Sequence, residues 1–538
     1  MKKLNLNEEQ KRAVECDDDL ILCMAGAGSG KTTVLIERIS RLCEKEDPKS
    51  ILALTFTNAA AFEMKDRYIR RNPGKLVPEF RTFHSFCYSV LCSDYEIRNK
   101  LGYNSIPSIC DEAKMKRIHN TVYLELGLHL SKDELSGKVK LSPKKEQEFA
   151  LYKKRIKKVM KDENIITFDE LSSSICDLFF NEDRLTQKYK DRFKYLLIDE
   201  FQDTSPEQWK FATSFKHSKI FLVGDEKQAI YSFRGADSSI IKMLSELDSW
   251  THIYLPRNYR STKQICSFAN KVVRQSGSKL KIELISDRSG PSVTVLPSTS
   301  NRYSEPIGID DFATFCEMNR ELEGTTAILC RSNSEVAEVC RMLDGAGLNY
   351  LTGKKNTDYK YILRSVKDNE YLADWLASYL NADKYADFIR IQSIENMSRI
   401  DVIVNYFSNV KKIQDRLRKV VTIRKALKDP SRSRMSMAVD ILTICGFNPL
   451  DNQIEVDENC SSDELFEAIT AVIEEKIVSD LYVGTIHSSK GLEYDNVFLF
   501  NVNDYSFKLN KEDQWNLYYV GVTRAKTNLV IFKGDAYE

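Results

Sequence analysis

Residues 25–32 read Ala25-Gly26-Ala27-Gly28-Ser29-Gly30-Lys31-Thr32, a run of small residues closed by an ammonium and a hydroxyl. Small residues let backbone N–H groups close around phosphate at a helix N-terminus. A lysine at the end of such a run reaches the β- and γ-phosphates of a nucleotide, and the threonine after it can ligate Mg²⁺. A second run, Leu196-Leu197-Ile198-Asp199-Glu200, is apolar and ends in two carboxylates. Asp199 suits the same Mg²⁺, and Glu200 suits orienting or deprotonating an attacking water. Together the two runs specify hydrolysis of a nucleoside triphosphate such as ATP.

Both runs need strands to present them. The phosphate loop follows the apolar stretch Leu20–Met24 and precedes a helical pattern. Ile51–Thr57, Tyr195–Asp199, Ile220–Gly224, Ala327–Cys330, Asn496–Val502 and Asn528–Phe532 read as buried strands. Short apolar runs separated by helices imply parallel sheets covered on both faces. Two stretches break the pattern. Residues 91–185 are long, charged and helical in spacing, with Phe149, Tyr152, Ile156 and Val159 on one face. Residues 354–445 repeat Phe407, Val410, Ile413, Leu417, Val420 and Leu427 at helical intervals. Both read as helical insertions into α/β layers.

Composition narrows the class. The chain has 538 residues, 42% of them hydrophobic and 29% charged, with a net charge of +1. That fits a globular protein of about three or four domains. It contains no apolar run of membrane-spanning length, and its first residues lack the apolar stretch of a signal peptide. The 13 cysteines include no Cys-x-x-Cys pair, which argues for reduced thiols and a cytoplasmic location. Charge is unevenly spread: 151–161 hold six basic residues and no acid, 411–434 hold ten basic and two acidic, and 451–476 hold nine acidic and one basic. Each run fits a solvated helix face or a contact surface.

The pentapeptide Asp199-Glu200-Phe201-Gln202-Asp203 resembles the DEFQD box of UvrD/Rep/PcrA-type superfamily 1 DNA helicases. Other motifs follow in that family's order. Leu6-Asn7-Glu8-Glu9-Gln10 resembles the Q motif. Thr55-Phe56-Thr57-Asn58 and Thr82-Phe83-His84-Ser85-Phe86 resemble strand-binding motifs of the first motor. Val223–Gln228 with Tyr231-Ser232-Phe233-Arg234-Gly235 resembles motif III, and Asn258-Tyr259-Arg260-Ser261 resembles motif IV. Gly484–Glu493 resembles motif V, and Tyr519–Ala525 resembles motif VI.

The resemblance implies two RecA-like P-loop motor domains with parallel sheets, each carrying a mostly helical insertion. The first motor would comprise 1–90 and 186–262, with insertion 91–185. The second would comprise 263–355 and 479–538, with insertion 356–478. It implies that Arg260 and Arg524 come from the second motor as arginine fingers; planar guanidinium groups suit such phosphate contact. It also implies that Gln228 senses the γ-phosphate, Gln10 reads adenine, Tyr259 stacks on the base and Glu493 meets the ribose.

For the DNA track it implies stacking faces at Phe56, Tyr231 and Phe233, while Phe83 fits either a platform or the core. Thr57, Asn58, Thr82, His84, Thr485 and His487 are candidate hydrogen-bonding groups. Sequence-tolerant grip on single strands comes from such stacking, at about 1–3 kcal/mol per base. Three positions depart from the family pattern. Thr33 stands where an arginine usually stacks on adenine, Ala59 where a lysine is common, and Phe233 where a tryptophan is usual.

The implied activity is ATP-dependent translocation on single-stranded DNA with 3′-to-5′ unwinding. An alternative is a DNA-sensing regulatory ATPase that controls a separate nuclease, as in the helicase-like component of Gabija-type anti-phage systems with its OLD-family nuclease partner. A self-contained helicase–nuclease is disfavoured, because only thirteen residues follow motif VI and no metal-carboxylate cluster is evident.

Overall fold

The computed structural model describes residues 6–352 apart from 111, 129, 132–133, 135–140, 182–183, 278–280 and 300–306. Beyond these it describes 366, 411–429, 431–445, 457–475, 480–503, 507 and 512–534. Among the described residues no helix is long and apolar enough to cross a membrane.

The chain divides into two compact units. The larger holds 1–101, 169–350 and 479–538, and contains two parallel sheets. The first sheet has six strands: β1 (Leu20–Ala25), β2 (Ile51–Thr55), β3 (Glu79–Thr82), β6 (Tyr195–Ile198), β7 (Lys219–Gly224) and β8 (Thr251–Leu255), in the order β3-β2-β6-β7-β1-β8. The second has five: β9 (Thr294–Pro297), β10 (Thr326–Cys330), β11 (Leu481–Thr485), β12 (Tyr494–Val502) and β13 (Ala525–Lys533), in the order β11-β10-β12-β13-β9. Every pairing in both sheets is parallel. The inner strands are buried almost throughout, as two-sided coverage requires.

Parallel strands put all their C-terminal ends on one edge, which is where ligands bind in open α/β sheets. In the first sheet that edge carries the phosphate loop after β1, Phe56 after β2, Phe83 after β3, Asp199 after β6, Asp225 after β7 and Asn258 after β8. In the second it carries His487 just past β11.

The smaller unit holds 102–168 and 351–478. Its helix Pro143–Asp162 buries Tyr152, Ile156 and Met160 against Ile118, Val122 and Ile165, leaving Lys153, Lys154, Lys157 and Lys158 exposed. Two short strands, β4 (Ser108–Ile109) and β5 (Ile165–Ile166), pair within it. Residues 91–101 and 169–185, expected in the first insertion, fall in the larger unit instead. The reason is an aromatic cluster: Phe179 of helix Phe168–Phe180 packs on Phe86 at 6.0 Å and on Phe211 at 4.9 Å. Phe407 and Val410, expected to open a helical face in the second insertion, lie outside the described residues.

Candidate functional site: a nucleotide pocket beside an aromatic track

The phosphate loop turns through two glycines in the left-handed region, Gly28 (φ 66°) and Gly30 (φ 81°), and Gly30 caps helix Lys31–Leu42. Only glycine reaches these conformations at no steric cost. A Cβ on Gly28 would also come within 2.8 Å of Asn258 and Arg260. That closeness is functional packing, because the segment leaving β8 holds the loop. Asn258 Nδ2 donates to Ala27 O at 2.7 Å, and Tyr259 N donates to Gly28 O at 2.8 Å. Asn258 Oδ1 accepts from the backbone of Arg260 and Ser261 at 2.8 and 2.7 Å. Gln10 approaches from the other side. Its Nε2 donates to Ser29 O at 3.0 Å, while its Oε1 accepts from Asn7 N and closes a capping box on helix Glu8–Glu15. Buried Arg38 fixes the far end of that helix by donating to Ala13 O and Cys16 O. Ser29 Oγ is buried without a hydrogen bond inside the chain. Tyr259 displays a ring that is 48% exposed next to the loop. Lys31, Thr32 and Thr33 form the first turn of the helix.

Strand β6 delivers Asp199, whose N–H donates to Leu54 O at 2.9 Å, and then Glu200 in the left-handed region at φ 51°. Asp199 is buried and Glu200 half-buried, and their surroundings have opposite consequences. Burial and the neighbouring Glu200 raise the pKa of Asp199. Burial also acts to raise Glu200, but the charges of Lys31, Lys490 and Arg524 and a hydrogen bond from Gln202 outweigh it and hold this carboxyl ionised. Asp199, a buried carboxylate crowded by the charge of Glu200, gains from a nearby positive charge and fits a hard divalent cation. Among the described residues no cluster of three or more His, Cys, Asp or Glu forms a metal cage. Mg²⁺ bound through one or two side chains and substrate phosphate needs none.

The second sheet adds arginine. Arg524 immediately precedes β13 and is buried, and its guanidinium is almost fully used by the chain. Nε donates to Val520 O, Nη1 to Leu492 O, and Nη2 to Thr523 Oγ1 and to Gln228 Oε1, at 3.0 to 3.4 Å. Burial, with nearby Arg260, pushes its pKa down to about 9. Gln228 Nε2 in turn donates to Asp225 Oδ2 at 2.8 Å. As an arginine finger Arg260 was expected from the second motor, although the expected bounds 186–262 place it in the first. It lies on the crossing segment five residues past the end of β8 of the first sheet, because Asn258 and Tyr259 are pinned to the phosphate loop. Only its side chain reaches the second sheet's elements, donating to Glu493 Oε2 at 2.7 Å and to Thr523 O at 3.1 Å. Glu493 is also 3.4 Å from Lys526.

The proposed strand contacts separate into two groups. Phe233 is 67% exposed, its ring edge-on to His487 at 5.5 Å and to Tyr231 at 6.0 Å. Phe56 is half-buried, Thr57 and Asn58 are exposed, and His84 and Thr485 are half-buried. Thr57 Oγ1 caps helix Asn58–Arg71 by accepting from Ala60 N, and Thr485 Oγ1 accepts from Ser488 N. Phe83 is only 2% exposed and packs between Phe56 and Phe211, so it is a core residue and offers no stacking face. Thr82 is buried as well, and its hydroxyl caps helix Phe83–Ser93 by accepting from Ser85 N at 3.0 Å. The strand role expected of each is therefore withdrawn. The side chain of Ala59 lies outside the described residues.

Lys490 was not singled out from sequence, although it sits inside the Ser-Ser-Lys-Gly run of motif V. Its buried ammonium bonds Asp203 Oδ2 at 2.5 Å and Gln228 O at 2.8 Å, and lies 4.8 Å from the centre of the Tyr231 ring. One cation thus touches the segment after β6, the Gln228 loop and the aromatic track. Asn258 was likewise quoted only as part of a motif. The signal that could have marked it was its neighbour Tyr259: a segment expected to place a ring beside a base needs its backbone anchored.

A phosphate loop, a paired-acid strand end and an arginine carried in by a second parallel sheet make this a P-loop nucleoside triphosphatase with two RecA-like layers. Comparison with known proteins narrows the class. Residues 6–247 match the UvrD/REP helicase N-terminal domain, and 356–534 match the UvrD-like helicase C-terminal domain. The chain belongs to the UvrD/Rep helicase family. It is 26% identical to the ATP-dependent DNA helicase PcrA of Bacillus subtilis, an alignment that covers 98% of this chain and 82% of that protein. It is 27% identical to a probable DNA helicase II homolog of Rickettsia conorii, covering 99% and 93% respectively. It is 28% identical to a probable DNA helicase II homolog of Mycoplasma capricolum, covering 98% and 84%.

Proposed function

We propose that this chain is an ATP-dependent DNA helicase that translocates on single-stranded DNA and unwinds duplexes from 3′ to 5′. In this reading Lys31 binds the β- and γ-phosphates, Thr32 and Asp199 hold Mg²⁺, and Glu200 orients and deprotonates the attacking water. The metal would neutralise phosphate charge. Gln228 meets the γ-phosphate, and Arg260 and Arg524 stabilise charge that develops in the transition state. Tyr259 stacks on adenine and Glu493 takes the ribose. Gln10 has one amide N–H and one Oε1 lone pair beyond its present bonds, which match the N7 and N6 groups of adenine. On the strand side Phe56, Tyr231 and Phe233 stack on bases, with Thr57, Asn58, His84, Thr485 and His487 as polar contacts.

The observation that carries the reading is Lys490, which bonds Asp203 and Gln228 and lies on the Tyr231 ring. A change at the γ-phosphate that moves Gln228 therefore moves a strand-side ring, the link a motor needs. Polarity rests on family membership alone.

Strand displacement on 3′-tailed, 5′-tailed and blunt duplexes tests this directly. Displacement that needs ATP, Mg²⁺ and a 3′ tail is expected. Displacement from 5′ tails alone would overturn the polarity. DNA-stimulated hydrolysis with no displacement on any substrate would point instead to a DNA-sensing ATPase that controls a partner nuclease in anti-phage defence.

A further inference from the structure

Glu200 stands in the left-handed region, and its carboxylate needs something to fix it. Gln202, two residues on, does so: its Nε2 donates to Glu200 Oε2 at 2.5 Å. The orientation of this amide is not arbitrary. Its Oε1 accepts the backbone N–H of Asp225 at 2.9 Å, so the oxygen must face Asp225 and the NH₂ must face Glu200. The side chain is fully buried against the bare Cα of Gly224, where a Cβ would lie 2.6 Å from Gln202 Oε1. It therefore has one available position. From Asp225 the chain of bonds continues through the side chain to Gln228 Nε2, and from Gln228 Oε1 to Arg524 Nη2. A single buried line joins the acid at the end of β6 to the arginine before β13.

We propose that Gln202 is a positioning residue for hydrolysis, holding the Glu200 carboxylate in its working orientation and tying that orientation to the Asp225–Gln228–Arg524 line. The proposal rests on the reading of Glu200 as the base. Gln202 touches no substrate, and its effect passes through Glu200. A base misaimed by a fraction of an ångström loses the geometry that makes proton transfer efficient, while the phosphate loop and the adenine face are untouched. Gln202 should thus govern kcat and leave nucleotide affinity alone.

Two variants separate this from a packing role. Gln202→Glu keeps the shape and the acceptor for Asp225 N–H, but replaces the donor to Glu200 with a repelling oxygen. Gln202→Met keeps volume and loses both bonds. If Gln202 only satisfied Asp225 N–H, Gln202→Glu would behave as the parent and Gln202→Met would not. Positioning predicts that both lose kcat for DNA-stimulated ATP hydrolysis by about tenfold or more, a part of the 10²–10⁴ that a general base supplies. The KM for ATP and the affinity for a non-hydrolysable ATP analogue should change by less than about twofold. In a Glu200→Gln background the same substitutions should change the residual turnover by less than about twofold, because an effect carried through Glu200 has nothing left to act on. A Gln202→Glu enzyme with parental kcat, or an equal loss in the Glu200→Gln background, would overturn the proposal. Should Gln202→Glu lose analogue binding, the same cycle with Gln202→Met decides. Near-parental turnover in Glu200→Gln itself would remove the base assignment and this proposal with it. Loss in Glu200→Gln with none in the Gln202 variants removes this proposal alone.

Discussion

Arg260, on the segment leaving the six-stranded sheet, is ion-paired with Glu493, the residue before β12 of the five-stranded sheet, Nε to Oε2 at 2.7 Å. Burial acts to raise the pKa of Glu493, but Arg260 and Lys526 outweigh it and hold it below the usual carboxylate range. If Arg260 turns to the phosphates when ATP binds, Glu493 keeps Lys526 and remains ionised for the ribose. The two residues should then fail differently. Arg260→Ala should lower kcat by about 10³ or more, as loss of an arginine finger does, and Arg260→Lys should not restore it, since a point charge lacks the planar fork. Glu493→Gln should mainly raise the KM for ATP. Steady-state ATPase assays with saturating single-stranded DNA check both, and a matching fall in kcat for Glu493→Gln would reject the division of labour.

Glu200→Gln should keep binding of ATP and Mg²⁺ while turnover falls by about 10²–10⁴. Lys31, Thr32 and Asp199, the proposed phosphate and metal contacts, remain in that variant. Equilibrium nucleotide binding and single-turnover hydrolysis report the two quantities separately.

Thr33 leaves Tyr259 as the ring available to adenine in this reading, so choice of base should rest on Gln10. Gln10→Ala removes the adenine-matching amide and also the bond to Ser29 O. The kcat/KM preference for ATP over GTP should erode more than maximal turnover with ATP. An unchanged preference would confine Gln10 to its cap and its grip on the phosphate loop.

The pattern of what could be read from sequence has a physical cause. Inner strands β1, β2, β6, β7, β10, β12 and β13 all lie under runs legible as buried and apolar. The four strands that passed unnoticed, β3, β8, β9 and β11, are the four sheet edges. Edge strands are covered less completely, so they mix in polar residues: Glu79 and Arg81 in β3, Thr251 and His252 in β8. Site residues were legible where a spacing or a motif named them. Contacts between distant segments were not. Nothing local says that Lys490 meets Asp203, or that Gln202 lies against Gly224, because those contacts depend on how the strands are ordered. Phe83 failed for the converse reason: a motif that names strand contacts does not show that Phe83, like Thr82 and Phe86 beside it, is buried, with its ring against Phe211.

His487 gives a pH prediction. Burial, and then the charges of Arg331, Arg234 and Lys490, push its imidazole down to about 4. An unfolded histidine titrates near 6.5. The folded value is the lower one, so the neutral ring's contribution to stability is complete above about 6.5 and is lost as pH falls towards 4. His487→Gln removes this term. Its urea midpoint should gain on the parent's as pH drops from 7 to 4, and a parallel pair of curves would place His487 in solvent. Strand binding should not strengthen between pH 7 and 6, because the ring gains no proton there.

Phe233 and Phe83 set the sharpest contrast on the strand side. Phe233 is 67% exposed and meets Tyr231 and His487 edge-on, so truncating it removes a face that the fold does not need. Phe233→Ala should weaken single-strand binding by about 1–3 kcal/mol. It removes no charge, so the slope of log affinity against log salt, which counts about 0.7 for each neutralised phosphate, should stay as it was. Phe56→Ala should act the same way, with some loss of stability added, because Phe56 also packs on Phe83 at 5.8 Å. Phe83→Ala opens a cavity in the aromatic cluster and should cost about 3–5 kcal/mol of stability. The protein that remains folded should still bind single strands within a few-fold of the parent. Fluorescence anisotropy with a labelled oligonucleotide at several salt concentrations, beside urea unfolding of each variant, separates the two kinds of loss. Normal strand binding by both Phe233→Ala and Phe56→Ala would remove the stacking track from this motor.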